Sequence, residues 1–314
     1  MDREARPGED DLEGLRPLLF SIAYRMVGSV SEAEDLVQEA YLRFHRSGGE
    51  GVASPRAYLS TTVTRLAIDH LRSARVRRER YVGPWLPEPL VTESEPDPAE
   101  HAETADSLSM AFLVLLETLS PVERAVFLLR EVFGFGYGEI APVVGKSEEA
   151  CRQIASRARR RVEAGKPRFD ATREQRRELG ERFFRAAWAG DIEALIELLA
   201  ADAVAIGDGG GKAPALARPL HGRERVARVL VGWARQANSM GIRIRPAEVN
   251  GQPGAVAFDD RGRIVTVMAL DISEGLVQTV RSIVNPEKLG HLGPVGDLGR
   301  LLRDRGRTTG PATP

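Results

Sequence analysis

Apolar residues recur at helical spacing through the first half of the chain and at strand-like spacing through much of the second. Leu15, Leu18, Leu19, Ile22 and Met26 stand at i, i+3, i+4, i+7 and i+11, which predicts an amphipathic helix. Ser31, with Glu34 three residues on, has the form of a capping box and opens a second helix. Its apolar face is Leu36, Val37, Ala40, Tyr41 and Phe44. A glycine-rich loop, Ser47-Gly48-Gly49-Glu50-Gly51, follows. Pro55 then starts a long helix to about Arg80, with Leu59, Val63, Leu66 and His70 on one side. The stretch from Pro84 to Pro98 is proline-rich and acidic and reads as a linker. Leu108, Phe112, Leu115, Leu116 and Leu119 predict the next helix. Ser120-Pro121-Val122-Glu123 joins a capping box to a proline at the first helical position and launches a helix as far as Phe133.

Residues Tyr137 to Val162 read as a helix-turn-helix. A short helix opens at Tyr137-Gly138-Glu139-Ile140-Ala141, and Gly145-Lys146-Ser147 makes the turn. Ser147 is a good N-cap, and Glu148 and Glu149 follow where carboxylates suit the helix dipole. Cys151, Ala155, Ala158 and Val162 are expected to face inward, which leaves Arg152, Gln153, Ser156, Arg157 and Arg160 outward. Arginine and glutamine reach base edges and phosphates in the major groove, although an arginine-rich helix alone can equally be a solvated face.

After Lys166 the pattern changes. Residues 172–200 read as helical, with Phe183, Phe184, Ala187, Leu195 and Leu199 apolar. Segments 203–206, 242–249, 254–258, 263–271 and 276–284 are rich in β-branched residues, bounded by Gly, Pro or Asp, and read as strands. Helices followed by strands imply an α+β domain with a curved antiparallel sheet. From about Gly293 the tail is rich in Gly, Arg and Pro and is expected to be flexible.

The 314 residues allow two or three domains, and 42% hydrophobic with 28% charged residues can build globular cores. The net charge of −1 conceals local polarity. Basic clusters at Arg65–Arg80 and Arg152–Arg161 flank a stretch, Glu93 to Asp106, without one basic residue. That arrangement suits a nucleic-acid binder. One cysteine excludes an internal disulfide framework and a cysteine-based zinc site. Without an apolar run of spanning length or a signal-peptide pattern, the expected compartment is the cytoplasm.

The tract Glu34-Asp35-Leu36-Val37-Gln38-Glu39-Ala40-Tyr41-Leu42-Arg43 and the helix from Ala57-Tyr58-Leu59 through Asp69-His70-Leu71-Arg72 resemble the sigma-2 domain of bacterial sigma-70-type factors of the extracytoplasmic-function group. Ser120 to Val162 resembles their sigma-4 domain. The later half resembles the SnoaL-like domain, a cone-shaped α+β fold of the nuclear-transport-factor-2-like superfamily. Trp85-Leu86-Pro87-Glu88-Pro89, Asp208-Gly209-Gly210-Gly211-Lys212 and Asn285-Pro286-Glu287-Lys288-Leu289 point to a subgroup with this fused domain. The resemblance implies a multidomain chain: sigma-2 at 10–80, an acidic linker at 81–105, sigma-4 at 106–166, a SnoaL-like domain at 172–290 and a flexible tail at 291–314. It implies RNA polymerase core as partner, through the clamp helices of the β′ subunit and through the β subunit, together with promoter DNA. It also implies regulation in cis by the extra domain.

Residue roles follow on the same terms. Asp35, Gln38, Glu39 and Leu42, at i, i+3, i+4 and i+7, form a polar stripe with one apolar anchor, suited to docking on a helical partner. Tyr58, Ser60 and Thr61, with the loop 46–54, match the place where the −10 element is read as melted strand, and base capture needs stacking to offset unstacking. Arg65, Arg72 and Arg75 can neutralise phosphates. Arg152, Gln153, Ser156, Arg157 and Arg160 match the reader of the −35 element. The triple glycine Gly209, Gly210 and Gly211 lacks Walker spacing and reads as a positive-φ turn flanked by Asp208 and Lys212. Trp85, Leu86, Pro87, Asn285 and Pro286 complete a candidate interdomain docking set. Hence the expectation that the Trp85 tract packs between the C-terminal domain and sigma-2.

Some SnoaL-like domains are cyclases or isomerases with Asp/His acid–base pairs, and Asp202, Asp208, Asp271 and His221 are available here. The expected reading is no catalysis, metal or organic cofactor, with a small-molecule ligand possible in the cone. The alternative is a helix-turn-helix regulator fused to a ligand-sensing or catalytic domain.

Overall fold

The computed structural model describes residues 12–47, 52, 54–78, 81–92, 107–165 and 172–308. The chain divides into two compact units, one from Met1–Glu79 and Leu113–Lys166, the other from Arg80–Phe112 and Pro167–Pro314.

The first unit is helical. It contains α1 (Arg16–Val27), α2 (Val30–Arg46) and α3 (Pro55–Arg78), then the later part of α4 (Met110–Leu116), α5 (Pro121–Phe127), α6 (Tyr137–Val144) and α7 (Glu148–Gly165). Leu19, Ile22 and Met26 of α1 are buried, as are Val37, Ala40 and Phe44 of α2 and Leu59, Val63 and Ala67 of α3. The cap of α2 is Ser29 rather than Ser31: its backbone is extended and its hydroxyl accepts from the Glu32 N–H at 3.2 Å. Gly28 ends α1 in the left-handed region (φ 71°), so the very next residue is free to cap and Ser31 falls inside the first turn. The capping box at the start of α5 is present as expected. One π turn, Leu128–Val132, continues α5.

Two arginines fasten the sigma-4-like helices to the sigma-2-like ones. Arg124 of α5, 3% exposed, donates to Met26 O at 2.6 Å, Leu116 O at 3.0 Å and Glu117 Oε1 at 2.8 Å. Met26 lies in the last turn of α1, where carbonyls lack helical partners. Burial lowers the Arg124 guanidinium to about 9, still protonated at neutral pH. Arg65 of α3 donates to Pro142 O at 2.6 Å and Val143 O at 3.2 Å, at the carbonyl end of α6.

The second unit is a sheet with helices on one face. Its elements are β1 (Val91–Thr92), α8 (Arg173–Ala189), α9 (Ile192–Leu198), β2 (Leu199–Asp208), β3 (Leu220–His221), α10 (Arg223–Ser239), β4 (Arg243–Val249), β5 (Gln252–Phe258), β6 (Ile264–Ser273), β7 (Leu276–Ile283) and α11 (Leu298–Thr308). The strand order is β1-β4-β5-β6-β7-β2-β3. Phe183 of α8, Leu195 of α9 and Val226 and Val231 of α10 share one core with Leu270, Val277 and Val280 of the sheet.

Four features depart from the sequence expectation. The helical stretch 172–200 is broken, because Gly190 takes φ 76° and Asp191 caps α9 by accepting from Ala194 N at 3.0 Å. The sheet is mixed: the β2–β7 pair is parallel, while the other neighbouring pairs of described strands are antiparallel. Part of the supposed linker is a strand, for β1 pairs with β4 and Leu90 exchanges hydrogen bonds with Asn250. The tail, expected to be flexible, is ordered as far as Thr308: Ile264 bonds Pro294 O and Gly296 N, each at 2.8 Å, and α11 follows. Leu298 and Leu301 of that helix pack on Ile242, Ala257 and Val265, which holds it against the domain.

Candidate docking and nucleic-acid surfaces

The stripe on α2 is outward. Asp35, Gln38 and Leu42 are exposed, and Glu39 is partly so. Burial of Ala33, Val37, Ala40 and Phe44 on the opposite side fixes that orientation. Leu42 is 50% exposed, and large apolar side chains so exposed are rare among the described residues. Glu39 is held by Arg43 at 2.7 Å along the helix. The surface therefore offers one apolar knob inside a carboxylate-and-amide frame, which suits a partner with an apolar socket and basic rim.

On α3, Tyr58 is partly buried with its ring edge-on to Phe44, 5.6 Å between centroids. Ser60 is buried, and Thr61 partly so. Arg72 is exposed and paired with Asp69 at 3.1 Å. Arg65 is engaged with the α6 carbonyls, so in this arrangement it does not present a free guanidinium to phosphate. The side chain of Arg75, most of the loop 46–54 and the acidic stretch 93–106 lie outside the described residues.

The helix-turn-helix has the expected geometry. Gly145 terminates α6 in the left-handed region (φ 66°), and the Ser147 hydroxyl accepts from Ala150 N at 3.2 Å. Cys151, Ile154, Ala155, Ala158 and Val162 are buried, which turns Arg152, Gln153, Ser156, Arg157 and Arg160 to solvent. Arg152 is positioned by Glu148 at 2.8 Å and by the Tyr137 ring at 5.3 Å. The result is a rigid helix with a hydrogen-bonding face and unoccupied donors, the form that enters a major groove. Burial raises the Cys151 thiol above its ordinary value, which marks a core residue and not a reactive one.

In the second unit the three tracts meet. Asp208 ends β2 with its carboxylate fully buried. It accepts from Leu86 N at 2.7 Å, from Lys288 Nζ at 2.7 Å and from the Tyr81 hydroxyl. Lys288 also donates to Leu86 O, and its ammonium stands 4.3 Å from the centre of the Trp85 ring and 4.8 Å from that of Tyr81. A buried carboxylate and a buried ammonium thus neutralise each other while binding both polar groups of one linker residue. Asn285 donates to Tyr81 at 2.9 Å and caps the turn Pro286–Lys288 by accepting from Glu287 N at 3.1 Å. Desolvation, and then the bond to Asp208, push the Tyr81 hydroxyl well above the usual tyrosine range. Leu86 and Pro87 are buried, and Lys212 pairs with Glu287 at the rim.

The glycine turn is dictated by close approach. A side chain at Gly209 would meet Ala213 O at 2.2 Å, and one at Gly210 (φ 57°) would meet Asn285 Nδ2 at 2.3 Å. Gly211 (φ 72°) lies against Val82. Sequence reasoning missed Tyr81, while Lys288 and Leu289 were noticed only as part of a tract. Their partners are far away in the chain, and no local spacing announces them.

The candidate acid–base residues do not converge. Asp208 serves the linker, Asp271 is ion-paired with Arg281, and Asp202 and His221 are exposed. Among the described residues, no helix is long and apolar enough to cross a membrane, and no group of acidic, His or Cys side chains could hold a metal ion.

Comparison with known proteins agrees with this geometry. Residues 12–77 match the family model for sigma-70 region 2, residues 109–162 that for sigma-70 region 4, and residues 181–283 that for the SnoaL-like domain. The chain is 38% identical over 293 residues to the ECF RNA polymerase sigma factor SigJ of Mycobacterium tuberculosis, covering 88% of this chain and 92% of that protein. It is 33% identical over 280 residues to the probable ECF RNA polymerase sigma factor SigI of the same species, covering 88% and 93%. The crystal structure of Mycobacterium tuberculosis SigJ superposes with a TM-score of 0.73 at 35% identity, over 90% of this chain and 98% of that one. With regions 2 and 4 both matched and full-length relatives at this identity, the chain belongs to the extracytoplasmic-function RNA polymerase sigma factors, in a form that carries a C-terminal SnoaL-like domain.

Proposed function

We propose that this sigma factor grips RNA polymerase core through the α2 stripe, reads promoter DNA through α3 and α7, and is tuned in cis by its SnoaL-like domain acting on the linker. The observation that carries the regulatory part is the seating of Leu86 on the buried Asp208–Lys288 pair. Whatever holds residues 81–92 limits how far regions 2 and 4 can separate, because those residues join them. Regions 2 and 4 must part for α3 and α7 to meet two promoter elements at once, and parting frees Arg65 from the α6 carbonyls for phosphate. The SnoaL-like domain acts as a regulator and not as an enzyme, since its candidate acids are engaged in ion pairs or exposed.

In vitro transcription with core polymerase tests this reading, comparing the full chain with a version ending after Arg168 and with Trp85→Ala and Asp208→Asn. Changed promoter output in all three is the expected result. Identical output from all four proteins sinks the cis-regulatory reading. A promoter mobility shift as strong without core as with it sinks the sigma mechanism in favour of a stand-alone helix-turn-helix regulator.

A further inference from the structure

Between the sheet and its helices the second unit encloses a cavity of about 310 Å³. Close-packed interiors hold few voids larger than a water molecule, and this volume is within the range of small-molecule sites, about 300–1,000 Å³. Phe183, Phe184, Trp188 and Trp233 supply aromatic walls, and Met268 lies on the floor. No charged side chain lines it. The polar groups are few: Gln236, and a hydroxyl pair, Thr266 and Ser282, 3.1 Å apart. Thr266 also lies 3.1 Å from Ile283 O, to which it donates. If Ser282 in turn donates to Thr266, its own oxygen is left able to accept from a guest. Asp202, Asp208, Asp271 and His221 are all absent from the lining.

One wall is α11. Leu298 and Leu302 face the cavity, while Arg300 and Arg303 on the same helix are exposed. The helix is the last element of the domain, anchored upstream by Pro294 and Gly296 on the start of β6. It is therefore a cover that can lift without unravelling the sheet.

We infer that this cavity is a binding site for a neutral, ring-bearing, hydrocarbon-rich small molecule, admitted beneath α11. A charged guest is disfavoured because no counter-charge awaits it and desolvation would go unreturned. Aromatic walls favour flat rings by stacking and edge contacts. The site is separate from the Asp208–Lys288 linker seat, none of whose side chains line it.

The test uses the full-length protein with N-phenyl-1-naphthylamine as a neutral probe and 8-anilino-1-naphthalenesulfonate as its anionic counterpart. The neutral probe should bind saturably at one site, quench Trp188 and Trp233 emission and slow proteolysis of α11. It should bind at least tenfold more tightly than the anionic probe. Ala234→Phe and, separately, Ala187→Phe place a ring in the cavity from two different helices, and each should weaken probe binding at least tenfold. If one variant fails to fold, the other decides. Equal affinity for the two probes, unchanged affinity in the folded variants, or α11 cleavage indifferent to probe would each overturn the inference. Probe binding needs neither promoter nor polymerase, so its failure is distinguishable from failure of the sigma reading.

Discussion

Lys288 joins a carbonyl, a carboxylate and two aromatic rings in one buried place, and single side chains of this kind govern the C-terminal domain. Lys288→Met leaves the Asp208 charge buried without its counter-ion and should cost about 3–5 kcal/mol in urea denaturation. Adding Asp208→Asn should recover much of that loss, and a coupling of about 1 kcal/mol or more in the double-mutant cycle is expected. Independent, additive effects would mean that the pair is not a unit. Tyr81 adds a pH dependence. Its folded value lies above its unfolded one, near 10, so its contribution is whole below that pH and is lost as pH rises through the folded value. Tyr81→Phe should flatten the alkaline slope of stability. Superimposable alkaline profiles for the two proteins would refute this.

At the scale of elements, the helices were legible because caps and spacing agreed. Ser120 and Glu123 bond reciprocally, at 3.3 Å and 2.9 Å, and Ser120→Ala should cost about 0.5–2 kcal/mol by thermal melting. The Ser120 backbone N–H is the main cause that lowers Glu123, so the box holds above the ordinary carboxylate range and weakens as pH falls through the depressed value. The inward set of α7 was legible for the same reason: one period places Cys151, Ala155, Ala158 and Val162 on one side. Other elements gave weaker signals. Ser29 and Ser31 are both competent caps two residues apart, and only the left-handed Gly28 decides between them. β1 is two residues long and exists by pairing with an edge, which leaves no periodicity to read. In α11 the trio Leu298, Leu301 and Leu302 was outweighed by surrounding Gly, Arg and Pro. The Asp208 seat was legible as three tracts but not as a charge pair, since its residues lie 80 and 122 positions apart.

Across the whole molecule the two recognition tasks fall on surfaces that contribute little to stability, so function and folding can be separated by mutation. Leu42→Asp should leave the melting temperature within a degree or so of the parent, since the side chain is half exposed, yet weaken core association at least tenfold, about 1.4 kcal/mol. Co-elution with core polymerase at matched concentrations measures it. Arg157→Ala should weaken promoter binding by the holoenzyme by about 1–3 kcal/mol. A loss that is equal on all DNA sequences would assign Arg157 to phosphate, and a loss confined to one position would assign it to a base.

The parallel pairing of β2 with β7 has a consequence for synthesis. Two strands that run the same way deliver their exits to the same end, so the glycine turn after Asp208 and the Asn285 turn emerge side by side. Reaching that point requires α10 and the β4–β6 meander to be complete, and a growing chain folds from its first residues onward. The helix-turn-helix is therefore finished on the ribosome well before the berth for Leu86 exists, and a nascent molecule passes through an interval in which its reader is built but its restraint is not.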